Sequence, residues 1–338
     1  MSTQLLSFTD RGIYCADGGF YIDPWRPVDR ALITHGHSDH ARWGHGRYMC
    51  THQALPVMRH RLGDIVAEGI GYGETRQIGG VQVSFHPAGH VPGSAQIRVA
   101  RGGEVWVVSG DYKVEDDGLS EAFAPVACHT FISECTFGLP LFRWQPQSVI
   151  AQQLAAWWQT NAAEGRASIL AAYGLGKAQR LLTLVPDLGP ILTHGAVEET
   201  TRILRDQGYP LPPTTRVTAG IDAKSHPGAL IIAPPSALGT PWARRFGPVS
   251  EAFASGWMAL RGIRRRRGLA TGFVISDHAD WPGLNTAIKA TGADRVFVTH
   301  GYTTPFRRWL EDQGFEAGIV QTEFGGDEAE VLSDTEPA

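Results

Sequence analysis

Metal-binding side chains are concentrated in the stretch ITHGHSDHARWGH, residues 33–45. His35, His37, Asp39 and His40 form an H-x-H-x-D-H pattern within six positions. Alternate residues of an extended segment point to the same side, so the first two histidines can face one metal ion together. The last two residues follow where the chain turns, and they can face a second ion. Imidazole suits zinc and carboxylate also suits manganese, so the pattern predicts a site for divalent metal ions.

A surface loop with unrelated histidines is the alternative interpretation of this stretch. Four ligand-type residues in six positions make that alternative the less favoured one. The short apolar run RALI precedes the pattern and predicts a buried strand, whereas the following residues ARWG could begin a helix. The pattern is therefore expected in a loop after a strand, where α/β folds place their chemistry.

Three further side chains lie where strand-like runs end. His90 occupies a turn rich in Gly and Pro between VQVSF and AQIRVA, Asp111 follows VWVVSG, and His300 follows RVFVT. Each histidine alone is as compatible with an ordinary turn as with a ligand. Because a pair of metal ions needs more ligands than one loop supplies, we expect all three residues to join the first four.

The composition is that of a globular α/β protein. The chain has 338 residues, of which 43% are hydrophobic, so it can bury a sizeable core in one large domain or two ordinary ones. Its cysteines, Cys15, Cys50, Cys128 and Cys135, form no CxxC pair and predict reduced structural thiols. The N-terminal residues lack the features of a signal peptide, and no apolar run reaches the ~18 residues that span a bilayer. We therefore expect a cytoplasmic protein with no membrane partner.

The net charge of -4 does not by itself indicate a protein that binds nucleic acid. Positive charge is instead local, in the arginine run at residues 264–267. Such a run is as often a solvated surface as a path for a nucleic-acid strand, and both interpretations stay open.

In their order along the chain, these motifs resemble the metallo-β-lactamase superfamily. The matching stretches are YIDP with Asp23, THGHSDH, AGHVPGS, SGDY and VTHGY. The resemblance implies an α/β fold, the αββα sandwich of that superfamily. Lactamases, glyoxalases, oxidases and nucleases share these motifs, so the metal motifs alone say little about the substrate.

Three stretches resemble motifs A, B and C of the β-CASP nucleases within that superfamily. They are FISECTFG with Glu134, ISDHADW with His278 and VTHGY with His300. Between motifs A and B lie SVIAQQLAAWWQTNAAEG, which predicts an amphipathic helix ending near Gly165, and several β–α units. The resemblance therefore implies that residues 141–270 form an inserted β-CASP domain.

The resemblance also implies how the remaining chain is organised and what it does. Residues 1–140 and 271–330 are expected to form the metallo-β-lactamase domain in two segments, with a disordered tail at 331–338. FYIDPWRPVDRALITHGHSDHARWG and YGLGKAQRLL are similar to bacterial exonucleases associated with an ATP-dependent DNA ligase and a helicase. This similarity implies a DNA exonuclease acting in repair, with DNA rather than RNA as the nucleic-acid partner.

By the same resemblance, two divalent ions, zinc or manganese, are expected to supply a hydroxide that attacks the phosphodiester. The expected ligands are His35, His37 and His90 for one ion, Asp39, His40 and His300 for the other, and Asp111 as the bridge. Asp23 would orient a histidine, or be only a turn residue before Pro24. Glu134 would hold His278 as the acid for the leaving oxygen, and the alternative is a structural hydrogen bond between these two residues.

Substrate contacts are expected in the inserted domain. The loop after ALIIAPP offers backbone N–H groups to a phosphate, and a predicted helix start after two glycines also suits an anion. The predicted phosphate contacts are Lys177, Ser236, Gly239 and Thr240. The candidates for stacking on bases are Trp157, Trp158 and Trp242. Packing in the core is the better prediction for at least two of these tryptophans.

Three other functions are compatible with the sequence. An RNA-processing nuclease on the same fold is favoured by His300, since the RNA-processing members have this histidine in motif C. A small-molecule hydrolase is disfavoured by the insert and by the pair of Glu134 and His278. A scaffold without catalytic activity would lack metal ligands, whereas here all of them are present.

Overall fold

The protein is described by a computed structural model over residues 4–221, 225–266 and 271–320. Its strands and helices form a mixed α/β fold that divides into two units. Among the described residues, unit 1 runs to Arg143 and resumes at His278, and unit 2 fills the interval between them. The boundaries predicted from the sequence were 140 and 270. The predicted tail at 331–338 and Arg267 lie outside the described residues.

The first sheet of unit 1 is built from short strands in sequence order. The strands are β1 Ser7–Thr9, β2 Gly12–Cys15, β3 Phe20–Ile22, β4 Arg30–Leu32, β5 Arg47–Thr51 and β6 Ala67–Ile70. Pairing is antiparallel from β1 to β3 and parallel from β3 to β6. Helix α1, Leu55–Leu62, shares an apolar cluster with Ala31, Tyr48 and Cys50 of this sheet.

The second sheet of unit 1 combines both segments of the chain. Its strands are β7 Thr75–Ile78, β8 Val81–Pro87, β9 Ala95–Arg101, β10 Glu104–Val108, β11 Thr130–Cys135, β18 Arg295–Gly301 and β19 Glu316–Ile319. Their order is β19-β18-β11-β10-β9-β8-β7. Strands β10, β11, β18 and β19 run parallel, and β7 to β10 pair antiparallel. Helices α7, Trp281–Thr291, and α8, Thr303–Asp312, pack against this sheet.

The main core of unit 1 lies between its two sheets. One buried apolar cluster combines side chains of both sheets, among them Phe20, Leu32, Phe85, Trp106 and Ile132. Burying a large apolar side chain of this kind stabilises the fold by about 1.5–3 kcal/mol. Because helices cover the other face of each sheet, the layers of unit 1 are helix, sheet, sheet and helix.

Unit 2 has a parallel sheet with helices between its strands. The strands are β12 Ala167–Ala171, β13 Ile191–Thr193, β14 Thr215–Arg216, β15 Leu230–Ala233, β16 Val249–Ala254 and β17 Thr271–Phe273, in the order β14-β13-β15-β12-β16-β17. The helices are α2 Gln147–Ala163, α3 Lys177–Leu184, α4 Gly195–Asp206, α5 Pro241–Arg244 and α6 Arg261–Arg266. The arginine run falls at the end of α6, where Arg265 is exposed. Every residue of β12 and β15 is buried, as parallel strands covered on both faces require.

One of two helices predicted from the sequence is present in the structure, and the other is absent. The predicted helix is confirmed as α2, and Gly165, with a φ of 69°, follows its end. The prediction that a helix could begin at ARWG is wrong, because residues 41–44 form a loop. Gly44 has a φ of 94° there, and the hydroxyl of Tyr48 donates a hydrogen bond to the carbonyl of Arg42. These two features bend the chain away from a helical path.

The cysteine prediction agrees with the structure, because Cys15, Cys50, Cys128 and Cys135 are buried thiols rather than halves of disulfide bonds. Within the described ranges, no helix combines the length and the apolar character needed to cross a membrane.

Replacing Ile169 by alanine is expected to lower the free energy of unfolding by about 2–5 kcal/mol. The substitution removes a fully buried side chain from β12, which pairs with strands on both sides, and leaves a cavity. Urea unfolding followed by circular dichroism measures the change. Leu188→Ala is the matched control, since Leu188 is 41% exposed and its loss should change little. Equal unfolding midpoints for the two variants would contradict the central place of β12 in this core.

Candidate metal centre

The carboxyl ends of β10, β11 and β18 meet at one edge of the second sheet, because these strands run parallel. Asp111 follows β10, and Glu134 and His300 are the penultimate residues of β11 and β18. The carboxyl edge of parallel strands is where open α/β sheets bind their ligands. The sheet therefore brings together residues that lie far apart in the sequence.

His300 reaches the site through an irregularity in the sheet. Glu134 pairs with Thr299 and Cys135 pairs with Gly301, so His300 is an extra residue on β18. Its φ of 54° lies in the left-handed region, which is uncommon for a residue other than glycine. Bulges of this kind turn a side chain out of the regular alternation and are frequent beside functional sites.

One compact group consists of His35, His37, His90 and Asp111. Nδ1 of His37 lies 3.1 Å from Nε2 of His35 and 3.0 Å from Nε2 of His90. Oδ2 of Asp111 lies 3.4 Å from the His35 nitrogen and 3.7 Å from the His90 nitrogen. In a tetrahedral zinc site with bonds of about 2.0–2.1 Å, the ligand atoms are about 3.3–3.4 Å apart. The four atoms therefore have the spacing of a tetrahedral metal site.

A second group consists of Asp39, His40 and His300. Nε2 of His40 lies 3.6 Å from Oδ2 of Asp39 and 3.3 Å from Oδ2 of Asp111. The rings of His40 and His300 stack with their centroids 5.1 Å apart. Because Asp111 is close to both groups, its carboxylate has the position that a bridge between two ions requires.

The charges and the unpaired atoms of this cluster fit divalent cations. Nε2 of His40 and Oδ1 of Asp111 are buried without a hydrogen-bond partner among the described residues. Burial would raise the pKa of Asp111, but His40 and His278 hold that pKa well below its usual value. Burial would also lower the pKa of His40, yet Asp111, Asp39 and Asp23 together raise it well above its usual value. The site thus contains a buried ionised carboxylate, which needs positive charge beside it.

Asp23 and Thr34 support two of the histidines. Oδ2 of Asp23 lies 2.7 Å from Nδ1 of His40 and accepts a hydrogen bond of 2.6 Å from the hydroxyl of Thr34. The same hydroxyl lies 3.1 Å from Nδ1 of His35. With Nδ1 of both rings engaged, Nε2 of each ring faces the other ligand candidates, and such outer partners fix the orientation of metal-binding histidines. Thr34 was missed in the sequence, where its only signal is its position directly before the H-x-H-x-D-H pattern.

The turn that carries His90 depends on close approach of the backbone. Gly89 has a φ of 76°, and a Cβ at this position would collide with the carbonyl of Lys113. The N–H of His90 donates a hydrogen bond of 3.1 Å to the hydroxyl of Ser94. Glycine is therefore required beside the ligand candidate, and the turn leaves the His90 ring facing the cluster.

Glu134 and His278 form a buried pair beside the cluster. Nδ1 of His278 lies 3.0 Å and 2.9 Å from the two carboxylate oxygens of Glu134. This carboxylate also accepts hydrogen bonds from the N–H groups of Tyr112, at 2.8 Å, and Thr136, at 3.4 Å. Asp111, Glu134 and His278 are close enough to hold an ion. However, Glu134 is already engaged as an acceptor, so the pair is better suited to orienting an imidazole than to binding another metal.

Lys177, a predicted phosphate contact, lies in unit 2 at the start of α3. Its side chain is buried, with Nζ 3.8 Å from a carboxylate oxygen of Asp277 and 4.6 Å from the centre of the Tyr173 ring. Arg180, one turn later, is also buried; it donates to the carbonyl of Ser276 and lies 3.6 Å from Asp277. Arg180 and Asp277 could not be recognised in the sequence, because nothing local indicates that these charges are buried together.

The other predicted phosphate contacts lie in a loop of unit 2. Ser236 is exposed, whereas the N–H of Gly239 donates to the carboxylate of Glu251 at 3.1 Å. The hydroxyl of Thr240 donates to the carbonyl of Ala237 at 2.7 Å. Two of the three expected groups therefore have acceptors within the unit, and their binding of a phosphate stays a prediction.

The tryptophans named for base stacking pack within unit 2. Trp158 is buried, and Trp242 packs against Phe246 in an apolar cluster. Trp157 meets the ring of Phe273 edge to face at 5.5 Å. Core packing of at least two of these residues is confirmed.

Histidines and carboxylates that converge at the carboxyl edge of parallel strands are suited to holding divalent cations. No protein-family profile matches the chain. A protein of Opitutus terrae named probable DNA ligase is 29% identical over 91% of this chain and 30% of its own length. Endoribonuclease YSH1 of Yarrowia lipolytica is 26% identical over 53% of this chain and 26% of its length. Ribonuclease TTHA0252 of Thermus thermophilus is 26% identical over 52% of this chain and 45% of its length.

These relatives confirm the resemblance to the metallo-β-lactamase-type β-CASP nucleases that the motifs predicted. The chain spans less than half the length of each of these proteins. A crystal structure of a protein of unknown function from Enterococcus faecalis matches with a TM-score of 0.58 and 10% identity, over 88% of this chain and 80% of that one. The similarity to this crystal structure concerns the fold alone.

Thr34→Val is expected to weaken zinc binding about 10–100-fold. The substitution keeps the shape of the side chain but removes the hydroxyl that contacts Asp23 and His35. Competition with a chromogenic chelator measures the affinity. Thr75→Val, at an exposed position of β7, is the control and should bind zinc like the unaltered protein. Unchanged zinc affinity in Thr34→Val would show that the hydroxyl does not orient the ligands.

Proposed function

We propose that the chain is a metal-dependent phosphodiesterase that digests DNA as an exonuclease during repair. In this proposal unit 1 is a metallo-β-lactamase αββα domain, and unit 2 is the β-CASP domain inserted into it. The proposal depends mainly on the convergence of the histidine and aspartate ligand candidates beside the buried pair of Glu134 and His278. Relatives named as ribonucleases and as a probable DNA ligase support a substrate with phosphodiester bonds.

Two divalent cations, zinc or manganese, belong to the proposed site. The proposed ligands are His35, His37 and His90 for one ion, Asp39, His40 and His300 for the other, and Asp111 for both. Oδ2 of Asp111 lies between 3.3 Å and 3.7 Å from nitrogens of both groups, which supports the bridging role. When bound, such a pair of ions lowers the pKa of a water molecule and stabilises charge on a phosphate oxygen. Asp23 and Thr34 would keep the rings of His35 and His40 turned toward the ions.

His278 is proposed as the acid that protonates the leaving oxygen. Glu134 accepts from Nδ1 of His278, so Nε2 is the nitrogen that would carry the transferred proton. A carboxylate beside an imidazole favours the protonated ring, which is the form an acid needs. The buried N–H groups that also donate to Glu134 keep this carboxylate in place during the reaction.

We propose DNA as the substrate because one relative, which aligns with 91% of this chain, is named for an activity on DNA. That protein is named a probable DNA ligase, and this chain matches 30% of its length. A nuclease that trims DNA ends before they are joined fits beside a ligase. An ATP-dependent DNA ligase is therefore a proposed partner. A helicase partner and a cytoplasmic location are proposed from the resemblance of the sequence motifs alone.

An RNA-processing nuclease is a second candidate, supported by the ribonuclease relatives. The proteins of Yarrowia lipolytica and Thermus thermophilus match 53% and 52% of this chain, and both are named for cleavage of RNA. The metal ligands and the pair of Glu134 and His278 would serve either substrate. The difference would lie in groups that contact the 2′-hydroxyl of RNA.

Contacts of Lys177, Ser236, Gly239 and Thr240 with substrate phosphates are also part of the proposal. The exposed hydroxyl of Ser236 supports it, whereas the ammonium group of Lys177 is buried beside Asp277 and the N–H of Gly239 would have to leave Glu251. Binding through such contacts would weaken as the salt concentration rises.

The double substitution Asp39→Ala and His40→Ala is expected to abolish nuclease activity, because it removes two side chains from the second ligand group. Matched DNA and RNA strands, labelled at either end and supplied with zinc or manganese, provide the assay. His60→Ala, at an exposed position of α1, is the control and should retain full activity. Stepwise shortening of DNA alone would support the exonuclease, and cleavage of RNA instead would favour the second candidate. Full activity of the double variant would refute the site.

His278→Ala is expected to lower kcat on a DNA strand about 10²–10⁴-fold, the usual contribution of a general acid. The loss should be much smaller on a thymidine phosphate ester of nitrophenol, because nitrophenolate leaves without a proton. Metal content, measured in parallel, should be unchanged. An equal loss on both substrates would contradict the acid role and would leave only a structural role for the pair.

A further inference from the structure

Trp43 is the most exposed large hydrophobic side chain among the described residues, with 75% of its surface accessible. Large aromatic side chains are usually covered, because each can bury 150–250 Å² of surface. The predicted helix at this point is absent, and Trp43 lies in the loop that follows the H-x-H-x-D-H pattern. Its indole is therefore open to a partner from solution.

The loop that carries Trp43 is held on both sides by one buried hydroxyl. Tyr48, which is 2% exposed, donates a hydrogen bond of 2.9 Å to the carbonyl of Arg42. The same hydroxyl accepts a hydrogen bond of 3.0 Å from the N–H of His45. Trp43 and Gly44 are the two residues between these fixed points. These contacts thus hold the backbone at Trp43 in a defined place.

A second set of contacts ties the end of this loop to a neighbouring one. Nδ1 of His45 accepts a hydrogen bond of 3.3 Å from the N–H of Val28, and the N–H of Gly46 donates to the carbonyl of Val28 at 2.9 Å. Burial lowers the pKa of His45 to about 4, so the ring is neutral and can act as an acceptor. His45 is therefore a support of the loop, and it belongs to neither ligand group described above.

The indole lies close to the ligand candidates along the chain. His40 and Ala41 are fixed by hydrogen bonds of 3.3 Å and 2.8 Å from their N–H groups to the carbonyl of His37. Trp43 follows His40 by three residues, and three residues span at most about 10–11 Å. A strand with one phosphate at the metal cluster would therefore have a neighbouring nucleotide within reach of the indole.

We propose that Trp43 is a stacking platform for a nucleobase of the strand whose phosphate lies at the metal cluster. This inference rests on the proposed nuclease function and adds a residue that holds the base beside the cleaved linkage. Aromatic stacking accepts every base, since every base has a π-face, so the platform would favour an intact base without favouring one sequence. A held backbone suits this task, because only the two side-chain torsions of the tryptophan have to be ordered when a base stacks on the indole.

Trp43→Ala is expected to weaken binding of a single strand about five- to 150-fold, the range for loss of one base stack. The probe is a fluorescent strand with phosphorothioate linkages, which resist hydrolysis, and binding to the metal-loaded protein is followed by anisotropy. Trp43→Phe should stay within a few-fold of the unaltered protein, because a ring is kept. Val66→Ala is the matched control, since Val66 is another exposed apolar residue of unit 1, at 67%, and its loss should have no effect.

Abasic strands separate stacking from other roles of the indole. With an abasic nucleotide at the stacked position, the unaltered protein should bind as weakly as Trp43→Ala, and the substitution should cause no further loss. If Trp43→Ala weakens binding equally for intact strands and for strands with an abasic nucleotide at any position, the proposal is overturned. Equal affinities of the alanine and phenylalanine variants would also overturn it. If the unaltered protein cleaves strands and Trp43→Ala binds them as tightly, the nuclease function is supported and the stacking role is refuted. The exposed ring would then be a candidate contact for a protein partner. If the unaltered protein neither binds nor cleaves strands, both proposals fail.

Discussion

A single buried carboxylate, that of Asp111, lies at the centre of the candidate metal site of unit 1. Its Oδ2 lies within 3.7 Å of nitrogens of His35, His40 and His90, so rings from separate loops are arranged around it. An ionised group in this position is unfavourable unless positive charge compensates it. The parallel strands that hold Asp111, the turn that holds His90 and the support of the rings by Thr34 are all required to place ligands around this charge.

The structure brings together the ligand candidates that the sequence names, and each of them has a distinctive side chain beside a recognisable strand end. Asp111 after VWVVSG is such a case, and helix α2 also forms where the sequence predicts a helix. The role of Thr34 could not be predicted, because it depends on the parallel pairing of β3 with β4. That pairing brings Asp23 within 2.6 Å of the Thr34 hydroxyl, and no local pattern encodes it.

Buried charges and loop conformations are likewise difficult to predict from local sequence. Lys177 has the local signature of an anion site, but in the folded unit it lies 3.8 Å from Asp277, which is one hundred residues away in sequence. Residues 41–44 have ordinary helical potential, but contacts with Tyr48 and the conformation of Gly44 keep them in a loop. In each case, tertiary packing decides between conformations or partners that are locally equivalent.

The place of β18 in its sheet has a consequence for the order in which the protein is made. Strand β18 lies between β11 and β19, yet it is synthesised after the whole of unit 2. Until it emerges from the ribosome, one edge of β11 has no neighbour in this sheet, and open edges invite pairing with other chains. His278 and His300 also lie in the segment that follows unit 2. A nascent chain therefore cannot assemble the complete cluster of ligand candidates before unit 2 has been synthesised.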